Sequence, residues 1–133
     1  MRTVRDVMRF DIEVLRTTDT AAHAARLLAA GHEESIPLCL SDGRLAGVVS
    51  NRDIVTRVVA RGLDPCRVTL GELVQPDDAL GLDVDATVCE AVTVMTRHRR
   101  ARLPVLEGDR VVGLVTQRDA ARSLTFCPPW DET

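Results

Sequence analysis

Two short segments of this chain contain the side chains best suited to binding chemistry. Residues 47–53 read GVVSNRD and residues 113–119 read GLVTQRD, so each places a hydroxyl, an arginine and an aspartate after an apolar run. A hydroxyl three residues before an acid caps the start of many helices, and capping alone accounts for one copy. The same groups suit a nucleotide, because hydroxyl, backbone N–H and guanidinium groups bind phosphate and a carboxylate can accept two hydrogen bonds from a ribose diol. The candidate residues are Ser50, Arg52, Asp53, Thr116, Arg118 and Asp119.

The sequence offers no comparable set of residues for catalysis or for a metal. Catalysis would need a nucleophile beside a base, and the three histidines are scattered singly along the chain. The four cysteines form no C-x-x-C pair, and with the histidines they give no zinc-ligand spacing. We therefore expect no enzyme activity, no catalytic residues and no metal, and we expect reduced thiols. These residues are His23, His32, His98, Cys39, Cys66, Cys89 and Cys127.

Composition and charge exclude several classes of protein. The chain has 133 residues, 45% of them hydrophobic and 28% charged, which is the balance of one globular domain. Its net charge of −3 argues against general affinity for nucleic acid. No apolar stretch is long enough to span a membrane, and residues 1–14 carry charges where a signal peptide needs an apolar run, so we expect a cytoplasmic protein. The arginine-rich residues 97–102 are either the positive end of a helix or an anion site.

An internal repeat covers most of the chain. Thr87 repeats Thr20 after 67 positions, and Asp119 repeats Asp53 after 66 positions. The one-residue difference falls at a hairpin turn, where changes of length cost least. Each half reads strand–helix–strand–strand–helix, and neither is long enough to cover both faces of its sheet, so we expect the halves to share a core. The predicted divisions are residues 1–66, residues 67–126 and a tail of residues 127–133.

Caps, turns and apolar spacing predict the elements that position these groups. Thr3 precedes an acid by three residues and predicts a short helix that ends near Met8, and Thr69 repeats this capping signal. Longer helices are predicted to begin after Asp19 or Thr20 and after Thr87. A third helix is predicted over residues 51–60 and a last helix over residues 117–124. The stripe predicted to face inward in the third helix is Ile54, Val55, Val58 and Val59. Strands are predicted over residues 12–15, 36–40, 44–49, 82–84, 103–106 and 110–115.

Over residues 3 to 124 the chain resembles a tandem pair of cystathionine-β-synthase (CBS) motifs, known as a Bateman module. The resemblance rests on a threonine before an alanine-rich helix, on Ile36-Pro37-Leu38 and Leu103-Pro104-Val105, and on both G-φ-φ-[ST]-x-R-D segments, in the same order in each half. The linker between the halves most resembles that of small stand-alone two-CBS proteins. The resemblance implies an α+β fold in which two pseudo-symmetric β-α-β-β-α motifs pack sheet to sheet as one module.

The resemblance also implies a ligand. CBS pairs often bind AMP, ADP, ATP or S-adenosylmethionine in two clefts between their halves. By resemblance, Asp53 and Asp119 hold riboses, Ser50 and Thr116 meet phosphates, and Arg102 reaches phosphate in the second half, where the first half has Ser35. Adenine would lie against apolar strand residues, with Thr17 and Ala22 facing the Asp119 cleft. The implied ligand-binding residues are Thr17, Ala22, Ile36, Pro37, Ser50, Arg52, Asp53, Arg102, Leu103, Pro104, Thr116, Arg118 and Asp119.

These observations favour a non-catalytic regulatory module that binds an adenosine compound and signals through changed module or dimer geometry. Because only the second half has Arg102, we expect the Asp119 cleft to bind phosphorylated adenosine more tightly. The family implies a homodimer, and output can also pass to a separate, unknown protein partner. The alternative is a ligand-free scaffold or partner-binding stress-response protein with vestigial nucleotide clefts.

Overall fold

Each repeat forms a strand, a helix, two strands and a second helix, which confirms the predicted α+β fold class. The computed structural model describes residues 2–31, 34–74 and 79–124. The chain divides into Glu13–Ala79, called here the first-repeat unit, and Met1–Ile12 with Leu80–Thr133, called here the second-repeat unit. In chain order the elements are α1 (Val4–Val7), β1 (Leu15–Arg16), α2 (Ala21–Ala30), β2 (Ser35–Cys39), β3 (Leu45–Ser50), α3 (Asn51–Ile54), a π-helix (Val55–Val59), a 3-10 turn (Leu70–Glu72), β4 (Leu82–Asp83), α4 (Val88–His98), β5 (Arg102–Glu107), β6 (Arg110–Thr116) and α5 (Gln117–Ser123).

The two units contain three-stranded sheets of the same topology. In the first-repeat unit β1 is parallel to β2 and β2 is antiparallel to β3, and β4, β5 and β6 repeat this arrangement. Leu15 of β1 pairs with Leu38 of β2, and Leu82 of β4 pairs with Val105 of β5 in the same way. Each hairpin also has a register irregularity at the equivalent place, directly after Leu38 in the first and directly after Val105 in the second. The carboxyl ends of β3 and β6, where helices begin, therefore occupy equivalent positions in their units.

Each unit has its own hydrophobic core, in which a helix packs on the sheet, so the expected shared core is not what the described residues form. The Thr20 hydroxyl accepts a hydrogen bond from the His23 N–H at 3.1 Å and so caps α2, as predicted. The Thr87 hydroxyl caps α4 in the same way, accepting from the Glu90 N–H at 3.0 Å. The residues that α2 and α4 bury in these cores are Ala21, Ala24, Leu28, Val88, Ala91 and Met95.

The compact units do not follow the sequence boundary predicted at residues 66 and 67. Val4 is completely buried in the core of the second-repeat unit, and its N–H donates to the Ala86 carbonyl at 2.8 Å. Conversely, Leu70 belongs to the core of the first-repeat unit, and its N–H donates to the Asp19 carbonyl at 2.8 Å. The turn that precedes the first repeat in sequence thus packs in the second-repeat unit, and the turn that precedes the second repeat packs in the first-repeat unit. The predicted boundary between residues 66 and 67 therefore applies to the repeat in the sequence, and as a division into domains it stays a prediction.

The helix predicted over residues 51–60 changes its hydrogen-bonding pattern after one turn. From Val55 to Val59 the chain is a π-helix, in which the Ala60 N–H donates to the Val55 carbonyl at 2.9 Å. Val58 is fully buried, but Val55 is 58% exposed and Val59 is 65% exposed. The predicted inward stripe was therefore wrong for these two valines, because the wider turn changes the direction of the side chains that follow it.

Candidate functional site

The junction of β6 and α5 in the second-repeat unit contains the candidate threonine and aspartate. Thr116 ends β6 with extended backbone, and its hydroxyl accepts a hydrogen bond from the Asp119 N–H at 3.1 Å, which starts α5. Thr116 is buried, whereas the Asp119 side chain is 20% exposed. The predicted cap is confirmed, and it leaves the Asp119 carboxylate able to turn toward another partner.

That partner is Arg9, from the extended segment that follows α1. The Arg9 Nε donates to the Asp119 Oδ2 at 3.1 Å. The Arg9 main chain is held by a two-way bridge to β6, in which the Arg9 N–H donates to the Leu114 carbonyl and the Leu114 N–H donates back, both at 2.8 Å. The ion pair therefore joins residues that are 110 positions apart in sequence.

Arg9 is a site residue that the sequence analysis missed. No local spacing marks it, because its partner lies at the other end of the chain. The sequence signals this contact only through Gly113, the residue before Leu114 in β6. A Cβ at Gly113 would lie 2.7 Å from the Arg9 carbonyl oxygen and 2.9 Å from the Met8 sulfur. The repeated glycine of the G-φ-φ-[ST]-x-R-D segment is therefore needed here for the close approach of a second backbone.

A cavity of about 330 Å³ lies beside this junction, within the range of small-molecule sites. Three of its lining residues are arginines, which carry permanent charge and a planar fork of donors suited to phosphate or carboxylate. The structure thus brings together Thr116, Arg118 and Arg102 as expected, and adds Arg9. The lining residues are Arg9, Ala101, Arg102, Thr116, Gln117 and Arg118.

The equivalent junction in the first-repeat unit uses its aspartate differently. Asp53 closes a capping box: its Oδ2 accepts from the Ser50 N–H at 2.8 Å and from the Ser50 hydroxyl at 2.9 Å. The other carboxylate oxygen lies 3.7 Å from the Arg57 Nε, one turn further along the chain. Capping and ligand binding are the two functions that the sequence of this segment allows, and the contacts of Asp53 are those of a cap.

The remaining predicted site residues lie in several environments. Ile36 and Leu103 are buried in the hydrophobic cores of their units, and Pro37 and Pro104 are also buried. Arg52 is exposed. Thr17 and Ala22 belong to the first-repeat unit, where the Thr17 carbonyl accepts from the Gly71 N–H at 2.9 Å and the Ala22 N–H donates to the Pro65 carbonyl at 2.9 Å. Contact of these residues with a ligand stays a prediction.

The cysteines differ from the expectation of reduced thiols at one position. Cys39 and Cys66 are free thiols, whereas Cys89 is disulfide-bonded. Burial raises the pKa of the Cys39 thiol above its usual value. Spacing in the sequence does not reveal a disulfide, because pairing depends on which cysteines the fold brings together. Cys127 lies outside the described residues.

Metal and membrane functions gain no support from the described part of the chain. Residues 2–31, 34–74 and 79–124 contain no group of three or more histidine, cysteine, aspartate or glutamate side chains able to hold a metal ion. Among the same residues, no helix has the length and apolar character needed to cross a bilayer. The expected cytoplasmic location stays a prediction.

Comparison with known proteins gives the family. The CBS domain family matches residues 4–60 and 71–125. Hypoxic response protein 1 of Mycobacterium tuberculosis is 37% identical over 124 residues, which span 93% of this chain and 86% of that protein.

Two solved structures agree. The crystal structure of Hypoxic Response Protein I with two coordinated zinc ions has a TM-score of 0.84 and 37% identity, and the match covers 93% of this chain and 100% of that one. The cytosolic domain of the Mg²⁺ channel MgtE in complex with ATP has a TM-score of 0.73 and 26% identity, with 89% of this chain and 47% of that one covered. The chain therefore belongs to the CBS-domain family, as a protein with two CBS domains.

Proposed function

We propose that this protein is a non-catalytic regulatory module that binds an adenosine nucleotide at the Asp119 site. CBS domains are regulatory, and the MgtE relative was crystallised with ATP. One observation carries the proposal: the cavity at Thr116 is lined by Arg9, Arg102 and Arg118, and Arg9 in turn contacts Asp119. Three guanidinium groups on one cavity favour an anionic ligand, and phosphate is the anion that arginine binds with bidentate geometry.

Within this proposal the residues have separate roles. Arg102 and Arg118 contact the phosphate groups, Thr116 lies at the phosphate end of the cavity, and Asp119 accepts hydrogen bonds from the ribose hydroxyls. AMP, ADP, ATP and S-adenosylmethionine all present an adenosine, but only the three nucleotides bring a phosphate anion. The arginines therefore favour the nucleotides. The Asp53 site is the weaker one, because Asp53 is already committed to its capping box.

Titration calorimetry with AMP, ADP and ATP tests the proposal. Arg102→Ala and Asp119→Ala are each expected to weaken binding by about tenfold or more, the effect of losing a hydrogen bond to a charged group. Arg52→Ala and Asp53→Ala are the matched variants in the other repeat and are expected to leave the tighter site unchanged. Wild-type affinity in the Asp119→Ala protein would reject the assignment of this site.

A ligand-free scaffold is the second candidate, and one observation favours it. Both aspartates have protein partners in the structure, Asp53 in its capping box and Asp119 with Arg9. A thermal-shift screen separates the two candidates: a nucleotide that binds the folded protein raises the melting temperature with ligand concentration. An unchanged melting temperature across AMP, ADP, ATP and S-adenosylmethionine would leave the scaffold as the better description.

We further propose that the protein forms a homodimer and transmits ligand binding through dimer geometry or to a separate protein partner. The support is the exposed pair Val55 and Val59, since apolar side chains exposed together often mark an interface. The zinc ions of the mycobacterial relative are not part of the proposal, because the described residues offer no group of three suitable ligands.

A further inference from the structure

We infer that Arg9 makes the Asp119 site selective for phosphorylated over unphosphorylated adenosine, by exchanging its partner when the ligand binds. This inference rests on the proposed function. In the structure the Arg9 guanidinium is bonded to the Asp119 carboxylate. When a nucleotide binds, Arg9 moves to the phosphate and Asp119 accepts hydrogen bonds from the ribose. A nucleoside has no phosphate, so it cannot supply the replacement anion.

The ion pair is placed so that it competes directly with a ribose. The Arg9 Nε lies 3.1 Å from the Asp119 Oδ2, and the Asp119 side chain is only 20% exposed. A ribose diol that donates to both oxygens of this carboxylate must share Oδ2 with Arg9 or displace Arg9 from it. Displacing the arginine without supplying another anion is unfavourable, because the ribose replaces the charge-assisted hydrogen bond for Asp119 but not for Arg9.

The Arg9 side chain can move without moving its backbone. Its main chain makes two hydrogen bonds of 2.8 Å with Leu114 in β6, and these do not involve the guanidinium group. The Arg9 side chain is 53% exposed, which leaves it room to change rotamer. It also lines the cavity with Arg102 and Arg118, so a phosphate bound between those arginines lies within its reach.

The first repeat contains a different arrangement around its aspartate. The cation nearest Asp53 is Arg57, at 3.7 Å on the same helical segment, and one of its terminal nitrogens donates to the Leu73 carbonyl. Asp53 itself is held by Ser50. A ligand there would have to open a capping box, so exchange of an arginine between aspartate and phosphate is a property of the second repeat.

Calorimetry with AMP and adenosine on three proteins tests the inference. Arg9→Ala is expected to weaken AMP binding by about tenfold, because a charge-assisted contact to phosphate is lost, and to leave adenosine binding equal or tighter, because Asp119 is released. The preference for AMP over adenosine should therefore fall by about tenfold or more. Arg5→Ala is the matched control: Arg5 lies in the same N-terminal segment, is half-exposed and pairs with Glu107 at 3.0 Å.

The possible outcomes separate this inference from the proposed function. If wild type binds AMP, and Arg9→Ala prefers AMP over adenosine as strongly as wild type or Arg5→Ala does, the partner exchange is wrong and the proposed function stands. If wild type binds neither compound, the proposed function fails and the inference falls with it. Arg9→Lys keeps the charge and is expected to retain part of the preference, which guards against a folding defect in the alanine variant.

Discussion

Asp53 and Asp119 occupy equivalent positions in the repeat but make different contacts. Asp53 turns back to the N–H of its own helix cap, whereas Asp119 turns away to Arg9. Both helices begin with a hydroxyl cap, so the local sequence is compatible with either arrangement. The difference arises because an arginine from a distant segment is within reach of one aspartate. At the scale of single residues, Arg9, which lies outside the repeated motif, therefore makes the contacts of Asp119 different from those of Asp53.

Cys39 and Cys66, the free thiols of the part of the chain that the structure describes, should differ in reactivity. Cys66 is exposed, whereas Cys39 is 7% exposed and burial raises the pKa of its thiol, which lowers the fraction of reactive thiolate. We expect a thiol reagent at neutral pH to label Cys66 at least about tenfold faster than Cys39, which must wait for local opening. Mass spectrometry of quenched samples measures both rates. Cys66→Ser should remove the fast phase, and fast labelling that persists in this variant would contradict the burial of Cys39.

At the scale of elements, two short capped turns, α1 and the 3-10 turn, each contribute a buried residue to a core. Thr69 and Glu72 form a capping box at the 3-10 turn, with the Thr69 N–H donating to the Glu72 carboxylate at 2.7 Å. Thr3 and Asp6 form the same box at α1. These hydrogen bonds, first of all those from the backbone N–H, lower the pKa of the Glu72 and Asp6 carboxyls. The stability that these two capping boxes contribute should therefore depend on pH.

Glu72→Gln is expected to reduce stability at neutral pH and to have no effect in acid. A carboxyl whose pKa is lower in the folded state stabilises the protein fully above its unfolded pKa, about 4.3 for glutamate, and this contribution is lost as pH falls through the lowered value. The glutamine resembles the protonated acid, so the two proteins should converge in acid. Thermal melts from neutral pH down to about pH 3 measure the difference. A constant difference over that range would contradict the role of the charge.

Gly113→Ala is expected to loosen the N-terminal segment from β6. The added methyl would meet the Arg9 carbonyl oxygen at 2.7 Å, so the backbone must shift, at a cost of about 1–3 kcal/mol. Amide hydrogen exchange at Arg9 and Leu114 should accelerate. Gly108→Ala is the control, because nothing lies within 4 Å of its added methyl and its cost of about 1 kcal/mol comes from the positive φ of +66°. If the Arg9 and Leu114 amides stay protected from exchange in Gly113→Ala, the N-terminal segment approaches β6 less closely than the 2.7 Å contact implies.

At the scale of the whole molecule, the sequence repeat and the compact units do not coincide. Each core includes a capped turn that lies outside the sequence of its own repeat, so neither unit is complete without a segment from the far side of the boundary. A protein cut between residues 66 and 67 would separate Leu70 from the first-repeat core and Val4 from the second-repeat core.

The proposed homodimer predicts that charges at the exposed valines reduce association. Val55 is 58% exposed and Val59 65% exposed, on the same π-helix. The Val55→Lys/Val59→Lys double variant is expected to weaken self-association by about tenfold or more, since buried lysines at an interface lack partners. Sedimentation velocity over a range of concentrations measures this. Val14→Lys, at a valine that is 46% exposed elsewhere in the unit, is the control. Equal association of all three proteins would place the interface on another surface.

The sequence by itself determined the order of elements and the helix caps at Thr87 and Thr116, and it limited the cap of α2 to Asp19 or Thr20. These features depend on hydroxyl caps, turn residues and apolar spacing, which act over a few residues and can be recognised locally. The repeat added the equivalence of the two junctions, each with a hydroxyl, an arginine and an aspartate, and the fold class followed from the resemblance to a tandem CBS pair.

Only the tertiary structure decided which of these residues form a site. The pairing of Arg9 with Asp119, the exposure of Val55 and the packing of α1 into the second-repeat core all depend on partners that are distant in sequence or on a change of helical register. Local patterns contain no information on such partners, because contacts between distant segments follow from how the cores assemble. The two junctions, already expected to be unequal because only the second repeat has Arg102, therefore differ further in the contacts of their aspartates.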